Sequence, residues 1–306
     1  MRESGSSQGM TLFQAECRHR ANAVLGEGPV WDSARQRLWW VDIEKCELHS
    51  FDPAAGEDRA WPLPHRIGFA VPTKRGDLIV GTQRGLARFA PESGALATFA
   101  DPENDLPENR FNDAKCDSAG RLWAGTMAVS EEPNRGSLYR VDARLIVTRM
   151  VENVSISNGI AWTPDDRAMF YIDSPTRRVD AFDFDPATGS LANRRTVIEV
   201  ADGFPDGMCI DAAGNLWVAL WGGWGVACFD PRTGAQLAKI EVPVEAVSSC
   251  CFGGDAWDEL FITTASRDLD AAGREQQPLA GSIFVAKPGV RGMPAPLFAD
   301  AAAPDR

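Results

Sequence analysis

Short apolar runs, not long helical stripes, set the pattern of this chain. Six of them open on Leu or Met after a polar turn: Leu38-Trp-Trp-Val-Asp, Leu78-Ile-Val-Gly-Thr, Leu122-Trp-Ala-Gly-Thr, Met169-Phe-Tyr-Ile-Asp, Leu216-Trp-Val-Ala-Leu and Leu260-Phe-Ile-Thr-Thr. Their openings lie 40, 44, 47, 47 and 44 residues apart. Runs this short, rich in β-branched and aromatic residues, predict strands and exclude helical repeats. A second apolar stretch follows each run, at 48–51, 86–89, 138–141, 179–184, 226–229 and 283–285. Several of these stretches end in one turn: Asp52-Pro-x-x-Gly56, Asp185-Pro-x-x-Gly189 and Asp230-Pro-x-x-Gly234, with Pro91-x-x-Gly94 as a variant. Pro presets φ and Gly supplies a positive φ, so the turn predicts a tight hairpin.

Six repeats of 40–47 residues, each made of short strands, predict an all-β fold: a six-bladed β-propeller with four-stranded antiparallel blades. A β-sandwich would show fewer strands and no such period. The ten Trp suit packing between blades by large flat side chains. The last blade needs a strand from a chain end. Residues 12–17 are expected to supply it in preference to 295–299. Residues 1–11 read as a flexible polar extension and 12–306 as a single propeller domain.

The phase of the repeat points to a site. The apolar run is taken as the second strand of its blade, so the innermost strand begins about ten residues earlier. At that offset stand Glu27, Gly68, Asn112, Asn158, Asp206 and Cys250. Positions of equal phase in a radial repeat converge on the axis, and four of these six carry oxygen. Two facing carboxylates without a cation would be costly, which predicts a divalent metal site on the central axis. Three His, at 19, 49 and 65, all lie off this phase, against a His-built zinc centre or a Ser-His-Asp hydrolase. Oxygen donors suit Ca²⁺, Mg²⁺ or Mn²⁺, and Zn²⁺ can be held by carboxylates, amides and waters. The longer connections, 128–136, 221–225 and 265–281, are expected over the same mouth. Trp221 and Trp224 would offer aromatic faces there.

Composition narrows the function. A net charge of −12 disfavours nucleic acid and anionic membrane surfaces as partners. Seven Cys, an odd number without a C-x-x-C pair, read as free buried thiols in a reducing compartment. No apolar leader opens the sequence and no run of 18 apolar residues occurs, so a cytoplasmic location is expected.

Five stretches carry a family resemblance: Gly26-Glu-Gly-Pro-Val-Trp31; Arg110-Phe-Asn-Asp-Ala-Lys115 with Gly125-Thr-Met127; Ser157-Asn-Gly-Ile-Ala-Trp162; Pro205-Asp-Gly-Met-Cys-Ile-Asp211; and Ser248-Ser-Cys-Cys-Phe-Gly-Gly254. The chain resembles the regucalcin (senescence marker protein)/gluconolactonase/luciferin-regenerating family over nearly its whole length. The resemblance implies one Ca²⁺ or Zn²⁺ ion and hydrolysis of aldonolactones such as gluconolactone. It implies Glu27, Asn158 and Asp206 as metal ligands, Arg110 and Asn112 as substrate contacts, and Asp206 as the acid/base. The loop 128–135 is shorter than in regucalcin-like members, in the manner of bacterial sugar lactonases, and Glu131 or Glu132 could stand for their acidic loop residue. Two alternatives belong to other classes: a non-catalytic Ca²⁺-binding regulatory propeller, which would need only the metal ligands, and an aryl-ester or organophosphate hydrolase, which would want a more apolar mouth. A protein-interaction propeller would give no reason for carboxylates at matched inner phase.

Overall fold

The structure is a computed structural model that describes residues 10–300. It is a six-bladed β-propeller whose blades are antiparallel sheets. The inner strands are Gly26–Asp32, Ile67–Pro72, Asn109–Cys116, Ser157–Trp162, Phe204–Ile210 and Val247–Gly253. Each inner strand packs against the next, and the sixth packs against the first, which closes the ring. The six Leu or Met runs are the second strands, as the phase required.

The hairpin chemistry acts as read. Gly56, Gly94, Gly189 and Gly234 all take φ near +70° and donate back to the carbonyl four residues earlier, at 2.7–2.8 Å. Three second-strand Trp use a common anchor. Trp39, Trp123 and Trp217 donate their indole N–H to Asp32, Asp117 and Asp211, at 3.2, 3.0 and 3.1 Å. Each Asp closes the inner strand or follows it directly, so one carboxylate fixes the turn and satisfies a buried indole. Leu38, Leu78, Leu122, Met169, Leu216 and Leu260 are all fully buried between blades.

Ring closure differs in one detail from the expected single strand at 12–17. Glu16–His19 pairs antiparallel with Ile283–Ala286 and completes the sixth blade. Thr11–Gln14 instead adds a fifth, parallel strand to the neighbouring blade, on Gln236–Glu241. Ala15, between them, makes the switch. The expected extension over 1–11 lies outside the described residues up to residue 9, and Thr11 already stands in a strand. Residues 295–299 do not close a blade. Phe298 bridges Thr73 of the second blade and is fully buried, while Ala299 donates to Gly120 of the third. Among the described residues no helix is long and apolar enough to cross a membrane.

Candidate active site

Every inner strand breaks register near its start. The breaks fall between Glu27 and Val30, Ile67 and Phe69, Phe111 and Ala114, Ser157 and Ile160, Pro205 and Met208, and Val247 and Ser249. A β-bulge leaves one or two residues unpaired and re-aims their side chains. The residues set free include Asn112, Asn158 and Asp206, and Glu27 flanks the first break. So three of the four polar positions found by phase are bulge positions, and the fourth, Glu27, borders one.

Two blades add no side chain to the set of Glu27, Asn112, Asn158 and Asp206, for separate reasons. In the second, Gly68 sits so close to the third blade that a Cβ there would lie 2.3 Å from the Phe111 carbonyl oxygen. In the sixth, the bulged residue is Ser248, not the Cys250 expected from a count of ten. Ser248 donates to the Gly26 carbonyl. Cys250 pairs with Ile262 two residues further down, and its thiol lies 3.6 Å from that of Cys209.

Glu27, Arg110, Asn112, Asn158 and Asp206 line one cavity of about 320 Å³ at the mouth of the axis. All five are at least nine-tenths buried. Leu25, Met127, Ile156, Phe204 and Trp221 form its apolar walls, so the mouth is less polar than the sequence suggested. The three longer connections reach it through Glu131, Trp221 and Arg267. Trp224 stays outside, 44% exposed.

A directional chain of hydrogen bonds orients the amides. The Ser174 hydroxyl gives its one proton to the Pro205 carbonyl at 2.6 Å, so it can only accept from Asn158 Nδ2, at 2.8 Å. Asn158 Oδ1 therefore faces the other way and accepts from Asn112 Nδ2 at 2.9 Å. Asn112 Nδ2 also donates to the Ser157 carbonyl at 2.8 Å, which turns its Oδ1 to the Arg110 guanidinium. One lone pair of Asn158 Oδ1 stays free for a ligand.

The carboxylates are less well satisfied. Burial, reinforced by the nearby Asp113 carboxylate, pushes the Glu27 carboxyl up to about 8. Burial first, then the charges of Glu27 and Asp113, push Asp206 well above the usual carboxylate range. Asp206 Oδ1 is buried without a hydrogen-bond partner. Burial also pulls the Arg110 guanidinium down to about 10. Its Nη1 donates to Asn112 Oδ1 and the Phe111 carbonyl, both neutral acceptors.

An unpartnered carboxylate oxygen, a second desolvated carboxylate and an amide oxygen with a spare lone pair form a donor set that fits a hard divalent cation. Among the described residues no group of three or more His, Cys, Asp or Glu converges to hold a metal, so an ion here would have Asn158 beside two carboxylates. Sequence reasoning missed Asp113 and Arg267. Asp113 shares the two-residue bulge with Asn112, and its adjacency was the available signal. Arg267 carried none, since it lies in a long loop with no repeat counterpart.

The SMP-30/Gluconolactonase/LRE-like region model matches residues 25–266. Regucalcin of Gallus gallus is 38% identical over 95% of this chain and 100% of its own length. A Bacillus subtilis protein, YvrE, whose name assigns it provisionally to the sugar lactone lactonases, is 38% identical over 87% of this chain and 91% of its own. The crystal structure of a calcium-binding protein, regucalcin, from Agrobacterium tumefaciens superposes with a TM-score of 0.90 at 30% identity, covering 95% of this chain and 99% of that one.

Proposed function

Because the chain belongs to the SMP-30/gluconolactonase/LRE-like family, we propose that it is a hydrolase that opens a sugar lactone, an aldonolactone such as gluconolactone, to the aldonic acid with one divalent metal ion. The observation that carries this reading is the unpartnered, buried Asp206 oxygen in the same cavity as Glu27, Asn158 and the Arg110–Asn112 pair.

A lactone is a cyclic ester. Water must add to its carbonyl carbon, the carbon–ring-oxygen bond must break, and the ring oxygen must leave with a proton. A divalent ion held by Glu27, Asn158 and Asp206 would supply Lewis acidity toward the carbonyl and toward water; Ca²⁺ and Zn²⁺ are the first candidates, Mn²⁺ and Mg²⁺ the next. Asp206 takes the proton of the attacking water and returns it to the ring oxygen. Arg110 is the buried cation that faces the cavity without a carboxylate of its own, so it favours an oxygen on which negative charge develops. Asn112, fixed by Ser157 and Asn158, holds Arg110 in place and offers the remaining lone pair of its Oδ1 to a sugar hydroxyl. The Trp221 and Phe204 walls cover the apolar face of the sugar ring. A purely calcium-binding role would use the ligands and leave Arg110 a buried cation with no task.

The test is proton release from a panel of aldonolactones, using metal-stripped protein with Ca²⁺, Zn²⁺, Mn²⁺ or Mg²⁺ restored singly. Metal-dependent opening of a lactone is the expected result. Folded protein that opens none with any ion overturns the proposal.

A further inference from the structure

The rim of the cavity carries a contact that neither the proposed metal ligands nor the proposed substrate contacts need. Arg267 follows the sixth blade's second strand, Glu259–Thr264. Its Nη2 meets Glu131 Oε1 of the third-blade loop at 2.5 Å, and its guanidinium lies 5.7 Å from the Trp221 ring centroid on the fifth-blade rim. All three residues line the cavity. Three blades are therefore joined through one side chain.

The two partners differ in how firmly they are held. The backbone under Arg267 is fastened on several sides. The Ser266 amide donates to the Val24 carbonyl at 3.0 Å and its hydroxyl to the Ala23 carbonyl at 2.9 Å, while Arg274 donates to the Ser266 hydroxyl and carbonyl at 3.2 and 3.3 Å. The Glu131 loop is anchored at its ends, by Val129 to the Glu108 carbonyl at 2.8 Å and by Asn109 Nδ2 to the Arg135 carbonyl at 2.8 Å. Between them residues 130–135 are exposed; the Asn134 amide donates to the Ser155 hydroxyl at 3.2 Å and the Glu131 amide to the Ala128 carbonyl at 3.0 Å, and Glu131 takes a φ of +61°, a conformation that favours glycine. These bonds hold the loop's backbone, and the contact that fixes the Glu131 side chain is the one to Arg267.

We propose that Arg267 is a positioning and specificity-determining residue: it pins the Glu131 loop against the Trp221 wall, and so sets the width of the mouth and the size of lactone admitted. The consequence for substrate rests on the lactonase reading; the pinning does not. A relaxed mouth admits bulkier lactones and grips small ones less.

The experiment compares the metal-loaded parent with Arg267→Met, Glu131→Gln, the double variant and the charge swap Glu131→Arg/Arg267→Glu. Hydrogen exchange is read at the Val129, Glu131 and Asn134 amides, and KM and kcat on a six-carbon aldonolactone and an acylated, bulkier one. Each single variant is expected to speed exchange about threefold, the scale of a half-exposed ion pair. The double variant should add nothing and the swap should restore protection. KM for the small lactone should rise about threefold with kcat within about twofold, and preference for small over bulky lactone should fall by the same factor. Unchanged exchange in Arg267→Met, or single effects that add in the double variant, overturns the pinning. Faster exchange from a parent that opens no lactone upholds the pinning and sinks the lactonase reading. Unchanged exchange in an active parent does the reverse.

Discussion

The two ends of the propeller axis are built by the same six strands and are chemically opposite. At the upper end, the inner strands are bulged near their start, and the cavity of about 320 Å³ holds two desolvated carboxylates, two amides and a buried guanidinium, that of Arg110, with Arg267 at the rim. At the lower end the same strands run in regular register past the bulge. A smaller cavity of about 180 Å³ is lined there by Trp31, Ile160, Trp162, Cys209 and Cys251, with Lys115 among the few charged groups. The lower end is also covered by the chain itself. The segment after the last strand bonds to Ala212 and Trp257 and then crosses to Pro72 and Gly120. Regular pairing gives alternating, packable faces, and a chemical site appears where that regularity is broken.

Several experiments break or sharpen this contrast. The largest effect belongs to Asp206→Asn, which removes the proposed acid/base and the charge of a proposed metal ligand at once. About a 10⁴-fold loss in kcat/KM on the lactone is expected, with an unchanged circular dichroism spectrum. Next is the lower end. Phe298→Ala empties a fully buried site between the second and third blades. Urea unfolding should report a loss of about 3–5 kcal/mol, while kcat of the folded protein stays within about twofold. Third, an ion restored to metal-stripped protein at about a hundred times its Kd should stabilise the fold by about 2.7 kcal/mol, read as a rise in Tm that is much reduced in Asp206→Asn. The smallest effect is expected of Ser248→Ala, at a bulge whose freed side chain does not line the cavity. Loss of its bond to the Gly26 carbonyl should cost about 1 kcal/mol, with lactone turnover retained. A collapse of turnover there would show that the sixth blade also serves the site.

The period of the apolar runs was enough to count blades and assign second strands, because Leu38 and its counterparts must be buried in every copy. The phase was enough to find Glu27, Asn112, Asn158 and Asp206, because each is oxygen-bearing at a fixed offset. The same count failed in the sixth blade. The hairpin joining inner and second strand runs one residue pair further there: Leu260 pairs with Phe252, eight residues back, whereas Leu216 of the fifth blade pairs with Ile210, six residues back. Counting ten residues back therefore reached Cys250 instead of Ser248. The Arg267–Glu131 contact was not legible for another reason. Its partners stand 136 residues apart in unrelated loops, and nothing in either loop's own pattern refers to the other.

The N-terminal strands have a consequence for how this molecule comes into being. Glu16–His19 finds its partner about 270 residues later, on the last strand of the chain. This segment is thus secured on the sixth blade only after residues 283–286 have been made, and the nascent ring stays open until then. Loop closure over such a span is slow, and the waiting blades present bare sheet edges meanwhile. The short strand Thr11–Gln14 has its own partner in the fifth blade, Gln236–Glu241. Those residues are made before the sixth blade exists. The N-terminus can therefore be docked one blade early, and closing the ring becomes a local step across Ala15 in place of a search through solution.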